Sequence, residues 1–381
     1  DMKRMIQLLT HLYRALPLFV LLLLSSGPAL AQSATGGYAG GDISYQMGNG
    51  DTLEVSLNYY LDCGGGSPGT NPFMILRNCS GTPIAAKNMG SPTITEISNT
   101  TQTTNCGAGT ISGRRRYQYT AQIDISSELG AACNFYRLTI SPNTRNVSQN
   151  LSSSTSQRMW LETNIYVLND ATNSSPVFGG EAIPYICSGS TVGYSPQVSD
   201  ADGDSLRFSL VSAKGGTTSA SNLTYSSGSA AAPISGISID VASGMLTFTS
   251  PNDSGNYQVV VEVNEFDRTS GNQISRTYRD FQFHIDSTCT NDGPVPATAF
   301  TSVTNATTVG NDTVIIDTGD AAVFRLLFTD ANGISGYTSN AVNVLGGNAT
   351  FNTSNTQVTW TPGAADIGTH IFTISAKDNV T

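Results

Sequence analysis

The sequence predicts an all-β fold of tandem β-sandwich domains joined by short linkers, and three observations carry that prediction. Of 381 residues, 38 are Gly and only 12% are charged, while Ser, Thr and Asn abound and strong helix formers are scarce. Such a balance favours strands and turns over helices. Apolar and polar residues alternate in short runs along most of the chain, the period of a half-buried strand. One pattern also occurs twice. Asp200-Ala201-Asp202-Gly203-Asp204 leads to Leu246-Thr247-Phe248-Thr249-Ser250-Pro251 and to Gly255-Asn256-Tyr257-Gln258-Val259-Val260-Val261-Glu262-Val263. Asp330-Ala331-Asn332-Gly333 leads likewise to Val358-Thr359-Trp360-Thr361-Pro362 and Gly368-Thr369-His370-Ile371-Phe372-Thr373-Ile374. A repeat of about a hundred residues is too long for a solenoid unit and suits sandwich domains of ordinary size.

Residues 1–31 read as a signal peptide. Lys3, Arg4 and Arg14 precede the apolar run Leu16 to Leu24, and Ala29-Leu30-Ala31 offers the small residues that signal peptidase requires. No later segment has the length of a transmembrane helix, so the expected mature protein is soluble and exported. Cleavage removes Asp1 and those three bases, taking the formal charge from −10 to −12. Such acidity excludes nucleic acid as a partner, because phosphates need a basic surface. Arg114-Arg115-Arg116 is the one basic cluster, read as a solvated strand or loop segment.

Residues 32–40 form a flexible Gly-rich lead. A first all-β domain follows at 41–175. Ile43, Tyr45 and Met47, then Leu53, Val55, Leu57 and Tyr59, alternate across Asn49-Gly50-Asp51 and predict a hairpin turning at Asn-Gly. Phe73–Leu76, Tyr117–Ile125, Tyr136–Ile140 and Trp160–Leu168 are its further strands, with Ser91–Thr104 and Asn143–Ser156 read as exposed loops. Asn173-Ser174-Ser175-Pro176 reads as a linker, since its Pro disfavours helix before it. The second domain spans 182–290, with strands at Val192–Tyr194, Leu206–Val211, Ile237–Val241, Met245–Phe248, Tyr257–Val263 and Tyr278–Ile285. Asn291-Asp292-Gly293-Pro294-Val295-Pro296 is a second linker, and 297–381 a second, truncated repeat. Laying Gly255 on Gly368 sets Tyr257, Val259 and Val261 on His370, Phe372 and Ile374 as one inward row. Trp160 and Trp360 are expected to pack inward too.

An exported chain permits disulfides, and its six cysteines, Cys63, Cys79, Cys106, Cys133, Cys187 and Cys289, all lie beyond the signal. The sequence leaves their pairing open. The expected set joins Cys63 to Cys79, Cys106 to Cys133 and Cys187 to Cys289, each pair bordering one strand-rich segment. Zinc is disfavoured, because no two cysteines stand two to four apart and no histidine is near them.

Catalytic chemistry is poorly provided for. His284 and His370 sit in strand patterns of different domains, and no nucleophile elbow, phosphate loop or metalloprotease motif occurs. The constellation with chemical potential is Asp200, Asp202 and Asp204, whose alternating carboxylates suit calcium, a hard cation that gathers six to eight oxygens in irregular geometry. An EF-hand is excluded, since Val211 stands where its bidentate glutamate belongs. Glu262, Glu265 and Asp267 are the nearest further oxygens in the pattern. In the later repeat Asn332 and Ile334 replace two of the aspartates, which disfavours calcium there.

The stretch Val198-Ser199-Asp200-Ala201-Asp202-Gly203-Asp204-Ser205-Leu206-Arg207-Phe208-Ser209-Leu210, with Gly255-Asn256-Tyr257-Gln258-Val259, resembles the cadherin-like and Ig-like repeats of bacterial surface proteins. Upstream, Gly40-Gly41-Asp42-Ile43-Ser44-Tyr45 and Leu57-Asn58-Tyr59-Tyr60-Leu61-Asp62-Cys63 resemble the opening domain of large secreted proteins of Bacteroidota. Those proteins end in a gliding-motility-associated or type IX secretion sorting domain. The chain reaches Thr381 without one and is therefore expected to be the N-terminal part of an elongated monomeric chain. The resemblance implies a cell-surface adhesin retained on the outer surface, with a stiffening calcium at Asp200, Asp202 and Asp204. Its partner would be an extracellular polysaccharide, protein or other surface. The alternative is the non-catalytic targeting or spacer portion of a larger extracellular hydrolase.

Overall fold

Inward-facing alternation is plainest in the first hairpin. Strands β1 (Tyr38–Met47) and β2 (Thr52–Asp62) set Ile43 opposite Leu57 and Tyr45 opposite Val55, all four buried. The computed structural model describes residues 37–378 except 49–50, 64–66, 98–112, 127–132, 167–172, 181, 183 and 290. The expected turn at Asn49-Gly50 and the expected signal therefore lie outside the described residues. Strands β3 (Phe73–Arg77), β4 (Pro83–Asn88), β5 (Thr93–Glu96), β6 (Arg114–Asp124), β7 (Phe135–Ile140) and β8 (Leu161–Tyr166) complete the first segment. Every residue of β4 and β5 is exposed, so no inward period marks them, and β5 falls where the sequence suggests a loop.

The second segment contributes β9 (Val177–Phe178), β10 (Tyr185–Cys187), β11 (Thr191–Tyr194), β12 (Val198–Ser199), β13 (Ser205–Leu210), β14 (Lys214–Gly215), β15 (Ser221–Asn222), β16 (Ser238–Ile239), β17 (Leu246–Thr249), β18 (Gly255–Phe266) and β19 (Gln273–Asp286). The third contributes β20 (Val295–Thr304), β21 (Thr307–Val309), β22 (Thr313–Ile315), β23 (Ala322–Thr329), β24 (Ile334–Ser339), α1 (Ala341–Leu345), β25 (Thr350–Phe351), β26 (Gln357–Trp360) and β27 (Ile374–Asp378). The fold is all-β, as predicted. The repeat survives in three dimensions: Val192 pairs with Phe248 and Ala322 with Trp360. Gly255 and Gly368 share a positive φ, 139° and 146°. The alternating row expected at 370–374 begins only at Ile374, because the chain before it is irregular.

Backbone pairing ignores the expected boundary at 173–176. One twelve-stranded sheet runs β4-β3-β7-β8-β19-β1-β2-β6-β5, with β10 and β18 also on β19 and β13 on β18. Strand β19, from the second segment, thus lies between β8 and β1 of the first. Thr277 pairs with Thr163, and Gly41 with Asp280. Glycine permits that approach, since a Cβ on Gly40 would meet the Asp280 carbonyl oxygen at 2.3 Å. The three largest apolar clusters respect the segments, while two smaller ones bridge the first two segments, Tyr60 with Ala182 and Leu151 with Val260 and Tyr278. Of the three, one gathers Tyr45, Leu57, Tyr119 and Leu138, a second Phe208, Val261 and Phe283, and a third Phe324, Val358 and Trp360.

Between the first two clusters lies a buried polar seam. Arg279, 2% exposed, donates to Asp42 Oδ2 (3.0 Å), Tyr60 Oη (3.3 Å) and the carbonyls of Phe178 and Gly180. Arg145 donates to both oxygens of Asp280 (2.9 and 2.5 Å). Arg114 pairs with Asp62 at 2.5 Å, which corrects the solvated reading of that cluster: its first residue is buried. Removing one partner of a buried pair strands the other charge and costs about 3–5 kcal/mol. Arg279→Met should accordingly lower the unfolding free energy by that amount in a denaturant titration; a change below about 1 kcal/mol would show the seam to be dispensable.

Two disulfides are described. Cys187–Cys289 is the expected pair and ties β10 to the end of β19, with Cα atoms 5.2 Å apart. Cys79–Cys133 is a correction, since neither residue takes its expected partner. Pairing of Arg77 with Arg137 aligns β3 with β7 and brings Cys79 and Cys133 within 5.5 Å at one end of the two strands. Cys63 is also disulfide-bonded, and Cys106 lies outside the described residues.

Candidate metal centre

Asp200 follows β12, and the next four residues turn sharply into β13. Gly203 takes φ +79° there, a conformation that glycine adopts without a Cβ clash. One carboxylate oxygen of Asp200 closes the turn by accepting the N–H groups of Asp202 (3.0 Å) and Asp204 (2.9 Å). Its Oδ2 receives no N–H or hydroxyl donor, and the remaining hydrogen-bond partner of Asp200 is the Glu265 carboxyl. Glu265 enters from β18 beside a β-bulge. Its Oε2 accepts from the Asn173 side-chain amide (3.2 Å), whereas its Oε1 has no donor. Single oxygens of Asp200, Asp204 and Glu265 all lie within 4.8 Å of one another.

Burial makes this convergence costly. Glu265 is 0% and Asp200 7% exposed, and none of the ion pairs among the described residues reaches either. Burial first, then the Asp200 charge beside it, pushes the Glu265 carboxyl up to about 10. Asp200 and Asp204 are raised as well, chiefly by burial. Three converging carboxylates without a positive side chain require either a proton or a cation.

Only part of the predicted ligand set meets here. Asp200 and Asp204 converge; Asp202 is exposed and instead accepts the Ser174 N–H at 2.7 Å. Of the further oxygens, Glu265 joins, while Glu262 accepts from Asn264 (2.8 Å) and Asp267 closes a turn at Ser270 (2.6 Å). Asn173 and Ser174, to which no sequence signal points, bring the linker onto the cluster. Ser175 continues the contact by accepting the Tyr45 N–H at 2.8 Å, so the cluster adjoins the first segment. The corresponding place in the later repeat is closed by amides: Asn332 donates to Asn291, and Asn291 to Asp378.

The remaining candidates are structural. His284 is held against Asn256 (2.8 Å), and burial, then the Arg114 charge, pushes its pKa down to about 4. His370 lies edge-on to Trp360 and 2.9 Å from the Asp366 carbonyl. Trp360 joins the third core. Trp160 is buried outside the main clusters, beneath Arg77 and donating to Glu162 at 2.7 Å. Among the described residues no helix is long and apolar enough to cross a membrane.

No protein family and no curated protein matches this sequence. Among solved structures, the I-band fragment I67-I69 from titin is similar at 12% identity, covering 91% of this chain and 95% of that one, with a TM-score of 0.18. A score that low carries no argument.

Proposed function

We propose that the chain is an exported, non-catalytic binding protein of adhesin type, acting by many weak contacts spread over rigid β modules, and that its acid cluster holds calcium. The observation that carries the reading is the cluster at the linker, where buried oxygens of Asp200 and Glu265 meet with no donor other than a proton shared between them. Asp200, Asp204 and Glu265 would hold the ion through the oxygen atoms it prefers. Its charge would neutralise them and so fix Asn173 and the chain leading back to the first segment. The paired disulfides suit an extracellular setting.

Multivalent contact has a measurable signature, because linked weak sites gain affinity faster than their number. Beads coated with the chain at graded densities, flowed over cell, polysaccharide and protein surfaces, should be retained more than in proportion to density on at least one surface. A chelator should lower that retention. Retention on none of the surfaces, or retention merely proportional to density and indifferent to the chelator, would overturn the reading.

A further inference from the structure

The merged sheet lines up a basic row that the sequence hides. Arg77 pairs with Arg137, Arg137 with Asn164, Asn164 with Arg276, Arg276 with Asn264, and Asn264 with Arg207. Directly opposed residues on neighbouring strands share a face, so six side chains from β3, β7, β8, β19, β18 and β13 form one row. At a strand spacing of about 4.8 Å the row spans about 24 Å. The opposite face is occupied by Leu138, Ile165, Val263 and Phe208 of the cores, so this row faces outward. Arg77 and Asn164 are covered by neighbouring chain, which leaves Arg207 exposed and Arg137 and Arg276 half-buried as the cations that solvent reaches.

Four arginines in register are unexpected in a chain with 18 basic and 28 acidic residues, since like charges directly opposed destabilise a sheet. The acids nearby do not consume them all. Glu162 is taken by Lys214 (2.7 Å) and the Trp160 N–H, and Glu262 lies 4.0 Å from Arg276. Arg137 and Arg207 lie over the rings of Phe135 (5.2 Å) and Phe266 (5.1 Å). Among the described residues neither forms an ion pair, although Arg137 is close enough to act on the Glu162 carboxylate, after Lys214 and Trp160. Stacked guanidinium groups keep their planar edge free for bidentate contact with an anion. Phe135 also packs against Tyr166 with ring centres 5.6 Å apart, giving a half-exposed apolar platform at the row.

We propose that this outer face binds a linear anionic polysaccharide, carrying carboxylates or sulfates along its length. The inference rests on the extracellular binding role above and names its ligand class. Charge complementarity selects an anion, and the aromatic platform suits the apolar faces of sugar rings. The aromatic platform, not charge, favours a glycan over a polyphosphate, which has no ring to lay on Phe135 and Tyr166. An extended peptide would add to a free edge, whereas most of this row lies on interior strands.

The test uses the full chain against immobilised polygalacturonate (carboxylate) and dextran sulfate (sulfate), with neutral dextran, polyglutamate and single-stranded DNA alongside. Binding to one or both acidic glycans is expected, weakening steeply from about 50 to about 500 mM salt. Arg137→Ala with Arg207→Ala should cost about tenfold or more in affinity, while Lys87→Ala with Arg268→Ala, which removes equal charge elsewhere, should leave it within about twofold. Arg137→Gln with Arg207→Gln, matched to the parent in melting temperature, should reproduce the loss. Absence of glycan binding at low salt, equal loss in the control pair, or tighter binding of polyglutamate or DNA would overturn the proposal. Bead retention on other surfaces with no uronate or sulfate binding would sink this inference alone and leave the broader reading standing.

Discussion

In a chelator, the chain should lose stability as the pH rises from 5 to 8, and calcium should restore it. The sign follows from Glu265. Its carboxyl is raised in the folded state from an ordinary 4.5 to about 10 by burial and by Asp200, so the folded protein keeps a proton that the unfolded chain releases above its lower pKa. Below the unfolded value both states are protonated and nothing is lost; between the two values stability falls with every unit of pH. At pH 7 the penalty is about 3 kcal/mol. A cation that takes the proton's place removes the penalty and adds its own linkage term, about 2.7 kcal/mol at a hundredfold excess over its dissociation constant. Glu265→Gln should therefore be the more stable protein in chelator at pH 8, with a flatter pH profile and a calcium response reduced to a small fraction. Melting curves of both proteins with calcium and with chelator measure all of this. Identical parental melts under the two conditions would dismiss the cation. A parental profile flat from pH 5 to 8 would dismiss the buried carboxyl as its cause.

Half of that cluster is legible in the amino-acid sequence alone. Alternating aspartates announce oxygen ligands, and Asp200 and Asp204 do converge. Spacing does not reveal that Asp202 turns outward to the Ser174 N–H, because tight-turn geometry rather than alternation sets that direction. Glu265 continues the inward row of Val261 and Val263, so alternation separates it from Glu262, but it does not reveal that this row ends against Asp200 and Asp204. Strand positions are legible where one face is buried and obscure where neither is, as in β4 and β5. Partner choice is invisible, since alternation identifies a strand but not its neighbour, and Gly41 and Asp280 are far apart in the chain. One signal is present. Arg279-Asp280 stands inside the predicted strand Tyr278 to Ile285, and two adjacent charges in a central strand imply burial against partners on both faces. The arginine row carries no such sign, because its members meet only through the register of six strands.

Residues 37–176, cut at the apparent linker, should fail to fold alone, whereas 37–290 should fold. The fragment loses β19, which leaves β1 and β8 with open edges on the two sides it filled. It keeps Asp42 without Arg279 and Arg145 without Asp280. Two broken buried pairs at about 3–5 kcal/mol each match the whole stability of an ordinary domain, about 5–15 kcal/mol. The apolar cluster of the first segment is complete within the fragment, so collapse without fixed packing is the expected state, with strand-like far-ultraviolet circular dichroism and a poorly dispersed amide spectrum. A dispersed spectrum and cooperative melting from 37–176 would instead make the seam a docking surface between self-sufficient domains. The distinction bears on function. If the two segments fold only together, the arginine row is a fixed surface with its spacing set by strand geometry; if they fold apart, the row forms and breaks as the domains dock.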